Sequence, residues 1–172
     1  HSLGMLYSAV TQFLGFAPLD GEGSVMGLAS YGEDRFADAF AQIVTPTPNG
    51  FVTQPNDYWS HAIVGWLSQV PNGLTRFFGQ PRTYRKNPID GTDEHIAASL
   101  QAVTERIGAH LFDLLYQHTG LHDFCLAGGV GLNAKMNGEL ATHPAVQNFY
   151  VPPASNDPGC AIGAAFLLYA RE

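Results

Sequence analysis

The stretch Leu126-Ala127-Gly128-Gly129-Val130-Gly131-Leu132-Asn133-Ala134 limits what this chain can fold into more than any other. Before it, Asp123-Phe124-Cys125-Leu126 is a short apolar run that reads as a buried strand. After it, residues 132–140 read as a helix start, with Lys135, Asn137 and Glu139 on the outer face. Strand, glycine turn and helix together bring backbone N–H groups and a helix N-terminus up to an anion. A plain βα turn needs one or two glycines. Three in four residues favour a ligand site, because a side chain would hold a phosphate or sugar away from the backbone.

The string Gly129-x-Gly131-x-x-Ala134 formally matches a dinucleotide fingerprint, which also requires an acid about 20 residues on, at the end of the next strand. Here that strand, Asn148-Phe149-Tyr150-Val151, runs into Pro152-Pro153 without a carboxylate, so a Rossmann reading is disfavoured. A Walker A reading fails because no Gly-Lys-Ser/Thr follows the turn. The second βα unit continues through Pro152-Pro153-Ala154-Ser155-Asn156-Asp157-Pro158-Gly159 into a helix over residues 160–171. Successive parallel βα units open at the same sheet edge, so the two turns are expected to be neighbours. Asp157 is then either a helix N-cap or a carboxylate facing the same cleft; beside bound phosphate it needs a metal to offset repulsion.

Earlier in the chain, residues 2–15 form an amphipathic helix capped by Ser2 and ended by Gly15. The loop Asp20-Gly21-Glu22-Gly23-Ser24 leads to a short helix through Ala29, and residues 33–44 form another with Phe36, Phe40 and Ile43 on one side. Pro46 and Pro48 end it; Phe51-Val52-Thr53 is a short strand. Trp59, Trp66, Phe77 and Phe78 read as core aromatics on short helices. Arg76, Arg82, Arg85 and Lys86 form a basic segment, either a solvated loop or, through Arg82 stiffened by Pro81, a contact to an anionic substrate. Thr92 or Asp93 caps a long helix to His118 whose stripe is Ile96, Leu100, Val103, Ile107, Leu111, Leu114 and Leu115. His118 and His122 have metal-ligand spacing, but Gly120 between them ends the helix and removes the shared face.

Of the 172 residues 45% are hydrophobic and 13% charged, against about 25% charged in ordinary soluble domains. Part of the surface is therefore expected to be covered, by further chain, a partner or a second copy in a homodimer. The chain opens without Met, directly in periodic apolar sequence, and reads as a piece of a longer protein. A net charge of −7 argues against coating nucleic acid, and the longest apolar stretches are too short for a bilayer span. Cys125 and Cys160 lack C-x-x-C spacing and read as reduced core residues of a cytoplasmic protein.

Six segments in collinear order resemble the NodU/CmcH/TobZ-type O-carbamoyltransferase family: His1-Ser2-Leu3-Gly4-Met5-Leu6-Tyr7-Ser8-Ala9-Val10-Thr11, Val25-Met26-Gly27-Leu28-Ala29-Ser30-Tyr31-Gly32, Gln80-Pro81-Arg82, Ile96-Ala97-Ala98-Ser99-Leu100-Gln101, residues 126–133 and residues 152–163. The resemblance implies an α/β fold, a fragment of an actin-like ATPase (ASKHA, TsaD-like) domain with helices packed on a small sheet. Residues 1–172 would be its later portion, the upstream half and a YrdC-like domain lying elsewhere in the same protein. It further implies ATP-dependent transfer of a carbamoyl group from carbamoyl phosphate, through carbamoyl adenylate, to a hydroxyl of a small-molecule or sugar acceptor. A divalent metal, Fe²⁺ or Mg²⁺, would assist. By position, Gly128, Gly129, Val130 and Asn133 match the nucleotide-binding turn, Glu22 and Gly23 a segment beside the nucleotide, and Asp157 a metal ligand whose partner histidines lie upstream of His1. Ser24 stands where lysine is common, and His95 where an aspartate usually precedes the Ile-Ala-Ala-Ser run. A non-catalytic ASKHA-type nucleotide-binding or assembly module is the alternative.

Overall fold

The computed structural model describes residues 2–54, 72–83 and 88–171. Trp59, Trp66, Arg85 and Lys86 lie outside the described residues. Helix α1 spans Leu3–Phe13, and the Ser2 hydroxyl accepts the Met5 N–H at 3.2 Å, the expected N-cap. Helix α2, Glu22–Leu28, runs into a 3-10 turn, Ala29–Tyr31. Helix α3 covers Ala37–Ile43 and passes directly into strand β1, Val44–Thr47, which pairs antiparallel with β2, Gly50–Thr53. After a short helix α4, Thr75–Phe78, comes α5, Gly91–Thr119, 29 residues and so about 43 Å long. Strand β3 (Asp123–Cys125), helix α6 (Ala134–Ala141), strand β4 (Asn148–Tyr150) and helix α7 (Gly159–Tyr169) complete the chain.

Helix α5 is the spine. Its start is fixed by a capping box: Asp90 accepts from the N–H groups of Thr92 and Asp93, while the Asp93 carboxylate accepts the Asp90 N–H. The cap is Asp90, two residues before Thr92, and Gly120 ends the helix in the left-handed region at φ 66°. One buried cluster joins α1, α3, α4 and the first half of α5 around Leu6, Phe13, Phe40, Phe78 and Leu100. A second packs Phe112 against Phe124, Met136 and Leu140. Phe112 and Phe124 stack at 4.6 Å, with Phe149 edge-on to Phe112 at 5.6 Å.

Strands β3 and β4 are parallel, with Phe124 opposite Phe149 and Cys125 opposite Tyr150, as the two successive βα units require. The result is a mixed α/β fold of helices on two small sheets.

Several expectations are corrected. The helix expected from residue 33 starts at Ala37, because residues 33–36 are laid across α5 instead: the Glu33 N–H donates to His95 Nδ1 at 2.9 Å and the Phe36 N–H to Ser99 Oγ at 2.9 Å. Those two bonds outweigh the helical preference of four residues. That helix ends at Ile43, ahead of the two prolines as expected, while Pro46 itself lies within β1, on a two-stranded ladder that tolerates a missing donor. The buried stripe of α5 stops at Phe112; Leu115, expected inside, is 49% exposed, because the last turns run past the packed body. Cys125 and Cys160 are exposed rather than core residues. Cys125 alternates with buried Phe124 and so falls on the uncovered side of β3. Helix α7 is almost wholly apolar, yet none of its residues is buried among the described residues; Phe166 is 67% exposed and Tyr169 81%.

The close crossing of α5 by residues 29–36 gives a paired prediction. A Cβ on Gly32 would overlap the backbone of Glu94, whereas one on Gly27, inside α2, meets nothing within 4 Å. Gly32→Ala is expected to lose about 1–3 kcal/mol, and Gly27→Ala to gain about 0.5–1 kcal/mol. Urea unfolding of the two variants checks both signs.

Candidate functional site

The two βα turns are joined by backbone. Leu126 N–H donates to Tyr150 O at 3.0 Å, continuing the β3–β4 ladder, and Gly128 N–H donates to Ser155 O at 2.7 Å. Past Gly128 the chain makes a single 3-10 turn, Gly129–Leu132, closed by Gly131 N–H to Gly128 O and Asn133 N–H to Val130 O. Each glycine of the turn has a different cause. Gly128 has φ +103°, ψ 164°, a conformation open to glycine almost alone. Gly131 is buried against Ser155, whose side chain a Cβ would approach to 3.0 Å. Gly129 has neither reason: it is exposed, its φ is unremarkable, and an added Cβ meets nothing within 4 Å. Among the described residues no packing calls for glycine at 129, and the open space beside it suits close approach by a ligand.

Val130 turns inward, packed against both hydrophobic clusters, with Cγ2 3.2 Å from where a Cβ on Gly4 of α1 would stand. Asn133 also turns inward. Its Oδ1 accepts the Met136 N–H at 2.9 Å, capping α6, and its amide pairs with that of Gln101 on α5. Asn137, expected on the outer face, bends back and donates to Gly131 O at 2.7 Å.

Glu22 Oε1 accepts the Leu19 N–H at 2.7 Å, securing a loop in which Leu19 itself has φ 65°. The Glu22 carboxylate also acts on the Tyr7 hydroxyl, as does Glu105. Burial first, and then these two charges, push the Tyr7 pKa far above the ordinary tyrosine value. Gly23 beside Glu22 is exposed.

Arg82 is seated elsewhere. Its Nε donates to Leu14 O at 2.6 Å, its guanidinium stacks 4.9 Å over Phe16, and it lies 3.7 Å from Asp93 Oδ2. Its side chain is 8% exposed, locking the end of α1 to the start of α5. Burial raises the pKa of Asp93, and Arg82 offsets only part of that. Val130 meets α1 at Gly4 and Arg82 meets it at Phe13, about 14 Å further along the helix, so the structure does not bring Arg82 to the turn.

Asp157 is exposed, at the mouth of the second turn, its carbonyl accepting the Cys160 N–H at 3.0 Å; the residue before α7 is Pro158, and no side chain caps it. Among the described residues no three His, Cys, Asp or Glu side chains gather as a metal-holding group. One carboxylate does not make a divalent-cation site, so the described residues do not by themselves fit the metal. His118 is exposed and lies on α5, while His122 lies beyond Gly120 with its Nδ1 2.9 Å from Ala145 O.

Sequence reasoning missed Tyr7, Gln101 and Glu105. For Gln101 the signal was a row of small and polar residues, Ala97, Gln101, Thr104 and Gly108, buried at helical spacing beside the apolar stripe of α5, with α6 packed close on Gly108.

Residues 1–166 match the family described as carbamoyltransferase N-terminus. An uncharacterised protein of Synechocystis sp. is 37% identical over 98% of this chain and 27% of its own length. Nodulation protein NolO of Bradyrhizobium diazoefficiens is 34% identical over 98% of this chain and 28% of its own. Nodulation protein U of the same organism is 38% identical over 42% of this chain and 13% of its own. The chain belongs to the carbamoyltransferase N-terminal family, and spans about a quarter of the length of the relatives it matches throughout. No helix among the described residues is long and apolar enough to cross a membrane.

Two stability predictions follow from this geometry. Gly128→Ala is expected to cost about 1–3 kcal/mol of strain, whereas Gly129→Ala stays within about 0.5 kcal/mol of the parent, both read by thermal unfolding. Tyr7 donates to Gln101 Oε1 at 3.0 Å and is held protonated above its ordinary value of 10.0. In the unfolded chain it ionises near that value, so its contribution is complete below pH 10.0 and is lost as pH rises further. Tyr7→Phe should cost about 1 kcal/mol near neutrality, and its urea midpoint should fall less steeply than the parent's above about pH 10.

Proposed function

We propose that this chain is the nucleotide-holding part of an ATP-dependent O-carbamoyltransferase, within a domain of the actin-like (ASKHA, TsaD-like) type. Membership of the carbamoyltransferase family supports the transfer chemistry. The observation that carries the nucleotide role is the glycine turn itself, locked to the second βα turn at 2.7 Å and open at Gly129, where packing among the described residues requires no glycine.

The reaction so proposed passes through a mixed anhydride of carbamate and AMP. The acceptor hydroxyl oxygen attacks the carbamoyl carbon, the bond from that carbon to the phosphate oxygen breaks, AMP departs with the electron pair, and the hydroxyl proton goes to a base. The anhydride is prone to hydrolysis, so a site must hold it by its nucleotide and keep water from the carbonyl. Backbone N–H groups at a rigid glycine turn suit the first task, because they are fixed before the substrate arrives and offset charge on the leaving phosphate. Val130 and Asn133 serve the turn from behind, through packing and capping. Asp157, exposed at the adjoining turn, would join a divalent cation only with ligands from beyond the described residues.

The test uses the protein at its full natural length with ATP, carbamoyl phosphate and a panel of hydroxyl acceptors, sugars and aminoglycosides among them, the products read by mass spectrometry. Carbamoylated product is expected from the parent, with Gly129→Val and Asp157→Ala each lower by about 100-fold or more. Near-normal turnover in both variants would remove the site from these turns. ATP binding without transfer to any acceptor would favour a non-catalytic nucleotide-binding module.

A further inference from the structure

Every hydrogen-bonding position of the Gln101 side chain is occupied, and the residue is fully buried. Oε1 accepts from the Tyr7 hydroxyl at 3.0 Å and from Asn133 Nδ2 at 2.9 Å. Nε2 donates to Asn133 Oδ1 at 3.0 Å and to Glu105 Oε1 at 2.9 Å. A glutamine amide offers two donors and two acceptor positions, so the set is complete. Glu105 is held in turn by Lys135, 3.3 Å away, at the start of α6. Four elements (α1, α5, the glycine turn and α6) thus meet on one amide.

The two amides are paired head to tail, and only one orientation works. Asn133 Oδ1 also accepts the Met136 N–H at 2.9 Å, so turning that amide over would set donor against donor there and against Gln101. Asn133 is where the glycine turn ends and α6 begins; its own N–H closes the turn on Val130 O at 3.0 Å. Fixing its side chain therefore fixes the direction in which the backbone leaves the turn.

We propose that Gln101 is a positioning residue for the nucleotide: acting through Asn133, it holds the glycine turn in the shape that receives the anion. This rests on the nucleotide role proposed for that turn. The requirement is for an amide. A carboxylate at 101 would face Asn133 Oδ1 and Glu105 Oε1 with no proton to donate, and an apolar side chain would leave the Tyr7 hydroxyl and the Asn133 amide without their partner.

The experiment is calorimetric titration of Mg²⁺–ATP into the full-length protein, reading both the dissociation constant and the number of sites, for the site that Gly129→Val removes. Gln101→Leu and Asn133→Ala are each expected to weaken ATP about tenfold with the site number unchanged, and the double variant to bind no worse than either alone. A merely structural role would lower the number of competent sites and leave the dissociation constant where it was. Should Gln101→Leu fail to fold, Tyr7→Phe removes one of the four bonds, with a loss of about two- to threefold expected in the same constant. An unchanged dissociation constant in a folded variant, or losses that multiply in the double variant, overturns the role of Gln101 and leaves the nucleotide reading standing. Equal ATP binding by the parent and Gly129→Val overturns the nucleotide reading, and this proposal with it.

Discussion

The segments that cross α5 are registered on it by hydrogen bonds from its buried and half-buried polar side chains. His95 receives the N–H of Glu33, Ser99 that of Phe36, Gln101 the amide of Asn133, while His110 Nε2 lies 2.9 Å from the carbonyls of both Thr47 and Gly50 in the β1–β2 hairpin. Apolar packing alone would let such segments slide, because burial is not directional. Each hydrogen bond contributes on the order of 1 kcal/mol, but leaving a buried partner unmatched costs more, so the bonds select one register. The stripe of Ile96, Leu100 and Val103 supplies the attraction and the polar row beside it supplies the address.

This division explains what could be read in advance. Helix α5, the Gly120 stop and the parallel pairing of β3 with β4 were legible because each has a local cause: periodicity, a left-handed glycine, a repeated βα unit; the cap itself lay at Asp90, outside the Thr92 or Asp93 expected. Residues 33–36 were not, since their conformation is set by His95 and Ser99, some sixty positions away. His95 stands where the resemblance implies an aspartate. Its Nδ1 accepts a backbone N–H, a task that an aspartate oxygen at the same position would equally perform. Gln101 escaped notice because a buried glutamine and an exposed one look alike in sequence; only the helix lying across it tells them apart.

In the site, legibility divided in the same way. The glycine turn and its neighbourhood with the second turn were readable, but the reasons for the individual glycines were not. Strain at Gly128, packing at Gly131 and open space at Gly129 require coordinates. Arg82 reads in sequence as either a solvated loop residue or a substrate contact; its guanidinium is held by a carbonyl, a ring and a carboxylate at the far end of α1. Buried polar groups that brace a ligand turn and those that tie helices together use the same chemistry, and position along the fold distinguishes them.

Helix α7 places a condition on all of this. An isolated helix of 11 residues is marginal in water, and this one buries none of its side chains among the described residues. It follows directly on the turn that carries Asp157 and anchors Gly128. The carbonyl of Ser155, on which Gly128 is anchored, therefore sits at the root of a helix whose apolar side chains none of the described residues buries, and the firmness of the glycine turn is tied to the firmness of that helix.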